Sequence, residues 1–118
     1  MTQNLRIAIA DDEPDMREYF QKILPLLGHT VVSAAETGRE LVEHCQSHQP
    51  DLVISDIKMP DMDGIDAAHA ICRNEPLPVI LVSAYHEPEL FRRARRIAHA
   101  AVHLRRTRSR NFPWVRVR

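Results

Sequence analysis

Four polar residues stand where apolar runs stop. Asp11 and Asp12 follow "LRIAIA", Asp56 follows "DLVIS", and Ser83 follows "PVILV". Carboxylates gathered from separate strand ends repel one another. At about 5 Å and an effective dielectric near 20, each pair costs roughly 3 kcal/mol. A hard divalent cation relieves that repulsion, and Mg2+ takes oxygen ligands while keeping several waters. On this reading Asp11 and Asp12 hold Mg2+, directly or through water, and Asp56 shares it. Asp56 can then attack a phosphoryl donor as a nucleophile, and Ser83 can hydrogen-bond a phosphoryl oxygen.

Whether the four meet depends on the elements that carry them. Residues 5–10 read as a short apolar strand, and Pro14 suits the first turn of a following helix. Met16, Tyr19, Phe20, Ile23, Leu26 and Leu27 recur at steps of three and four, with Pro25 distorting the last turn and Gly28 ending it. "TVVSAA" reads as a second strand and residues 37–49 as a helix with Leu41, Val42 and Cys45 inward. "DLVIS" is apolar on both faces, as buried parallel strands are. Residues 64–73 form a third helix with Ile65, Ala68 and Ile71 inward. Residues 77–84 form a fourth strand, 88–98 a fourth helix and "AAVHL" a short fifth strand. This alternation implies right-handed βαβ units and a parallel sheet, whose chemistry gathers beyond the carboxyl ends of the strands.

The chain of 118 residues fits one domain, and its 44% hydrophobic content is ordinary for a globular protein. It shows no secretory signal pattern and no apolar run near the roughly 20 residues of a membrane span, so a soluble, cytoplasmic protein is expected. Cys45 and Cys72 stand apart and read as reduced, inert thiols. The net charge of zero conceals a division. All 16 acidic residues lie at or before Glu89, whereas ten of the 16 basic ones lie at or after Arg92. That arginine run could hold nucleic acid, although a solvated helix face is the plainer reading. His44 and His48 likewise read as a solvated helix face, and Met59 and Met62 as loop packing. "DMDGID" lacks the glycine position and closing glutamate of a calcium loop.

"ADDEPDMR", "PDLVISDIKMPDMDGID" and "PVILVSAYHEPEL" together resemble the receiver domain of two-component response regulators, over about residues 5–98. The resemblance implies a flavodoxin-like, doubly wound parallel sheet of five strands in the order 2-1-3-4-5. It also implies Mg2+-dependent transfer of a phosphoryl group from a histidine kinase or phosphotransfer protein to Asp56. Asp11 and Asp12 are then the acidic pocket, the backbone carbonyl of Lys58 is a further metal ligand, and Ser83 is the switch hydroxyl. Lys58 and Tyr85 flank the path of the hydrolytic water, and Gly64 supports a tight turn in the loop after Asp56. "SAYHEPEL" leans towards receivers of RNA-binding antiterminators.

The end of the chain departs from the family. The lysine expected at the end of the fifth strand is Arg105, followed by Arg106 where a proline is usual, and the aromatic switch position is Val102. Arginine keeps the charge but is forked and bulkier. The fifth helix is missing or replaced by an irregular basic tail, so the expected units are a receiver at 1–105 and a tail at 106–118. A missing helix uncovers apolar sheet surface, which Phe112, Trp114 and Val115 or a second copy of the chain should cover.

The expected function is a stand-alone phosphoacceptor switch that relays a kinase signal to a downstream protein, without an effector domain and without enzymatic turnover. Two other classes fit parts of the sequence. One is a degenerate receiver serving as a protein- or nucleic-acid-binding module, which Arg105 and the tail favour. The other is an aspartate-nucleophile phosphatase of the haloacid dehalogenase type, which needs a second aspartate where Lys58 stands.

Overall fold

The computed structural model describes residues 4–83, 88–96, 100–105 and 114–117. Its strands β1 (Arg6–Ala10), β2 (Thr30–Ala35), β3 (Leu52–Asp56), β4 (Val79–Ser83) and β5 (Ala100–Arg105) alternate with helices α1 (Pro14–Leu26), α2 (Gly38–His48), α3 (Gly64–Asn74) and α4 (Pro88–Arg95). The first five strands are parallel in the order β2-β1-β3-β4-β5, the expected flavodoxin-like arrangement. A sixth strand, β6 (Trp114–Val117), extends the sheet antiparallel to β5. The tail read as irregular is therefore extended at residues 114–117, in keeping with the alternation of "WVRV". Residues 106–113, including Arg106 and Phe112, lie outside the described residues.

The two sheet faces differ in residue size. On β1, Ala8 and Ala10 join a core with Leu41, Val53, Ile65, Ile71, Leu81 and Ala94, drawn from the sheet and from α2, α3 and α4. Ile7 and Ile9 point to the other face, where Met16, Phe20 and Leu24 of α1 pack with Ile54 and Val82. Period-two alternation along β1 thus assigns small residues to the face with three helices and branched ones to the face with α1.

Pro25 leaves α1 intact but tightens its end. Leu27 N donates to the carbonyls of both Ile23 and Leu24, and Gly28 N donates to Pro25 O at 3.0 Å. Gly28 has φ +91°, and His29 N reaches Leu24 O at 3.0 Å, closing a Schellman-type cap. Thr37 caps α2 by accepting from Glu40 N at 3.1 Å. Beyond α1 the same sheet face bears an apolar cleft of about 300 Å³, between Tyr19, Ile23 and Leu27 on one side and Ile54, Ile80 and Val82 beneath. It lies on the face where a missing fifth helix was expected to expose apolar surface. Among the described residues no helix is long and apolar enough to cross a membrane.

Both cysteines are free thiols. Burial, with the nearby Cys72 as a lesser cause, pushes the Cys45 thiol up to about 12. The nucleophilic thiolate is therefore scarce at Cys45 under mildly alkaline conditions. Iodoacetamide at about pH 8.5 should label the half-buried Cys72 well before Cys45 in the folded protein, with both reacting once it is unfolded. Peptide mass mapping of the alkylated chain checks the order.

Candidate functional site

The carboxyl edge of the sheet is assembled by local turns. Asp11, directly after β1, is 1% exposed, and its Oδ1 accepts a hydrogen bond from Glu13 N at 2.9 Å. That bond bends the chain out of the strand and into α1, whose first residue is Pro14. Asp11 N is itself tied to β2 through Ala35 O at 3.0 Å. Arg17 spans the same corner, donating to Asp11 O at 2.7 Å and pairing with Glu36 at 3.3 Å.

Asp56 is the last residue of β3 and half-buried. Its Oδ1 accepts Ile57 N at 2.8 Å, and its carbonyl accepts the Ser55 hydroxyl at 2.9 Å. With Asp11 and the exposed Asp12, Asp56 forms a cluster in which one carboxylate oxygen from each residue lies within 4.8 Å of the others. The three sequence-predicted acids thus converge, with one buried, one half-buried and one open to solvent. At that separation each pair costs roughly 3 kcal/mol at an effective dielectric of 20, less where solvent screens Asp12. Such a set of hard oxygen donors matches what Mg2+ accepts.

Ser83 ends β4, is 2% exposed, and stands one residue beyond Val82, the register partner of Asp56. Leu104 pairs with Ser83, so the backbone of Arg105 stands one step further along the same edge. The Arg105 side chain and Tyr85 lie outside the described residues. Lys58 is exposed, two residues past Asp56.

The loop after Asp56 shows what Gly64 is for, and it is not the tight turn expected from the sequence. Gly64 carries no positive φ. A Cβ there would collide with the carbonyl oxygen of Asp56, and its N–H donates to Ile57 O at 2.7 Å. The start of α3 is thus pressed against the backbone of the central aspartate. Ile57 and Met59 turn into the core, with Met62 packed against it.

Flanking helices brace the loop. Gly38 N donates to Met62 O at 2.9 Å, and Arg39 pairs with Asp61 at 2.7 Å. Asp61 sits at φ +70°, a conformation aspartate tolerates better than most residues. Its hydrogen bond to Arg39 holds its carboxyl below the usual range. Asp63 caps α3 by accepting Asp66 N at 2.8 Å, and Arg93 of α4 reaches both Asp63 at 3.2 Å and Asp66 at 3.1 Å.

Sequence reasoning missed Arg17 and Arg93 as braces. Asp63, three residues before Asp66 at the start of an apolar periodicity, carried a readable cap signature. The partners of the two arginines depend on the tertiary fold.

A family model described as the response regulator receiver domain matches residues 7–105. The chain is 41% identical over 90 residues to the transcriptional regulatory protein PdtaR of Mycobacterium tuberculosis, covering 76% of this chain and 44% of PdtaR. An uncharacterized response regulatory protein of Vibrio cholerae is 38% identical over 90 residues, with 74% of this chain and 34% of the relative covered. The chain therefore spans less than half the length of these curated relatives. Among solved structures, the signal receiver domain of the putative response regulator NarL from M. tuberculosis superposes with a TM-score of 0.81 at 33% identity, covering 94% of this chain and 90% of that one. The response regulator domain of Thermotoga maritima CheB gives 0.79 at 28% identity, covering 89% and 81%.

The close approach at Gly64 yields a stability prediction. Gly64→Ala should lower the free energy of unfolding by about 1–3 kcal/mol, the usual cost of forcing a methyl group into packed structure. A urea titration checks it, and an unchanged midpoint would show that α3 can move off Asp56 freely.

Proposed function

The chain belongs to the response regulator receiver domain family, and from that premise we propose that it is a phosphoacceptor switch of a two-component phosphorelay, modified on Asp56. The observation that carries this reading is the convergence of Asp11, Asp12 and Asp56 within 4.8 Å at the carboxyl edge of a parallel sheet. The buried Ser83 at the same edge supports it.

Asp11, Asp12 and Asp56, with the backbone carbonyl of Lys58, would hold Mg2+. When bound, the metal supplies positive charge that neutralises the carboxylates and the transferring phosphoryl oxygens. The Ile57 N–H fixes the orientation of the Asp56 carboxylate through Oδ1. An Asp56 oxygen forms the new bond to phosphorus as the bond from phosphorus to the donor's histidine nitrogen breaks. Ser83 then hydrogen-bonds a phosphoryl oxygen, and the change is read at α4 and β5. Lys58 and Tyr85 flank the approach of the water that later hydrolyses the acyl phosphate.

Arg105 stands in the sequence where the family has lysine, and a forked guanidinium is a less compact partner for a phosphoryl group than an ammonium. The receiver unit spans residues 1–105, with 106–118 a basic tail. The partners are a histidine kinase or phosphotransfer protein and a downstream protein, and a second copy could cover the apolar cleft beside α1. The setting is cytoplasmic. The chemistry is self-modification, without turnover of a free substrate.

Arg105 and the exposed arginines of α4 favour a second reading, in which the chain binds a partner through its basic end without switching. Incubation with acetyl phosphate and Mg2+, followed by intact-protein mass measurement, separates the two. The switch predicts one Mg2+-dependent phosphoryl adduct that is absent from Asp56→Asn. No adduct, under conditions that label an ordinary receiver, would overturn the switch and leave the binding module.

A further inference from the structure

Asp11 and Asp12 are consecutive, and one planar peptide joins them. How the exposed Asp12 sets off from the buried Asp11 therefore depends on how that peptide is turned. Its carbonyl, Asp11 O, accepts from Arg17 Nη1 at 2.7 Å. The Arg17 side chain is only 17% exposed, and its second nitrogen, Nη2, lies 3.3 Å from Glu36 Oε1 just past the end of β2. Asp11 N meanwhile donates to Ala35 O, the residue before Glu36. The peptides on both sides of Asp11 are thus tied to the end of β2, the second of them through one guanidinium.

Arg17 and Glu36 together carry no net charge, and the Glu36 side chain is 63% exposed. Such a pair projects little field onto the cluster and adds little stability. What the guanidinium contributes is direction. Two of its nitrogens reach two separate oxygens, a span that the compact ammonium of a lysine does not reproduce.

We propose that Arg17 is a positioning residue for the metal pocket. By holding the Asp11 carbonyl, it keeps the Asp12 carboxylate turned towards those of Asp11 and Asp56. The inference rests on the Mg2+ reading of that pocket. Position and charge differ here in sign. A guanidinium near a divalent cation repels it, so removing the charge alone would tighten Mg2+ binding. Losing the position of Asp12 weakens it.

Mg2+ titrations of the full chain, followed through the amide resonances of Glu13 and Ile57, test this. Those N–H groups donate to the Asp11 and Asp56 carboxylates, so they respond to metal at the cluster without any phosphoryl donor. Wild type should give saturable shifts. Arg17→Met should bind Mg2+ about tenfold more weakly, the lower end of what loss of an outer-shell partner costs. Arg17→Lys keeps the charge but not the fork, and should also bind more weakly than wild type. The dispersion of the same spectra shows whether each variant is folded, and if Arg17→Met is not, Arg17→Lys decides. Unchanged or tighter Mg2+ binding in either folded variant overturns the proposal and leaves the metal pocket standing. A wild type without saturable shifts overturns the pocket itself, and the proposal with it.

Discussion

Three carboxylates brought within 4.8 Å of one another are what the parallel sheet and its two cores have to hold together. Nothing in local propensity favours such a cluster, and Coulomb repulsion opposes it. It persists because each acid is set at the end of a strand whose position is decided elsewhere. Ile7 and Ile9 seat β1 on one face, while Val53 and Ile54 seat β3 against both. The parallel register then brings Asp11 and Asp56 to one edge. The repulsion within the cluster is opposed by the cores on the two faces of the sheet.

The loop from Ile57 to Asp63 ties that edge to the neighbouring helices. It is anchored inward by Ile57 and Met59, laterally by Arg39 and Gly38 of α2, and at its exit by Asp63, which caps α3 and meets Arg93 of α4. Gly64 closes the arrangement by letting α3 begin in contact with the Asp56 carbonyl. Asp56 is therefore linked through this loop to α2, α3 and α4. Arg17 serves the opposite corner, joining the end of β1 to Glu36 just past β2.

Much of this was legible in the chain itself, and the reasons are physical. Helical periodicity in α1 and continuous apolar runs in β3 and β4 reflect burial, which acts on neighbours in sequence. Polar residues at strand ends located the cluster, because parallel sheets collect their strand ends at one edge. What sequence could not supply were contacts chosen by the tertiary fold. Arg93 meets Asp63 across 30 residues, and Arg39 meets Asp61 across 22. Gly64 looked like a turn residue, yet its small size answers to a neighbouring carbonyl, which only coordinates reveal. The tail at 106–118 read as irregular, and although "WVRV" alternates in the strand manner, its antiparallel place beside β5 is set by the tertiary fold.

A carboxylate cluster that is strained when empty should be relieved by Mg2+. Urea unfolding midpoints of the wild type and Asp56→Asn, each with and without Mg2+, test this most directly. Without metal, Asp56→Asn should be the more stable protein, since one repulsive charge is gone. Adding Mg2+ should then raise the wild-type midpoint clearly more than it raises that of Asp56→Asn, because binding to the folded state alone stabilises it. A wild-type midpoint that Mg2+ leaves unmoved, or one it raises equally in both proteins, would contradict a strained, cation-seeking cluster.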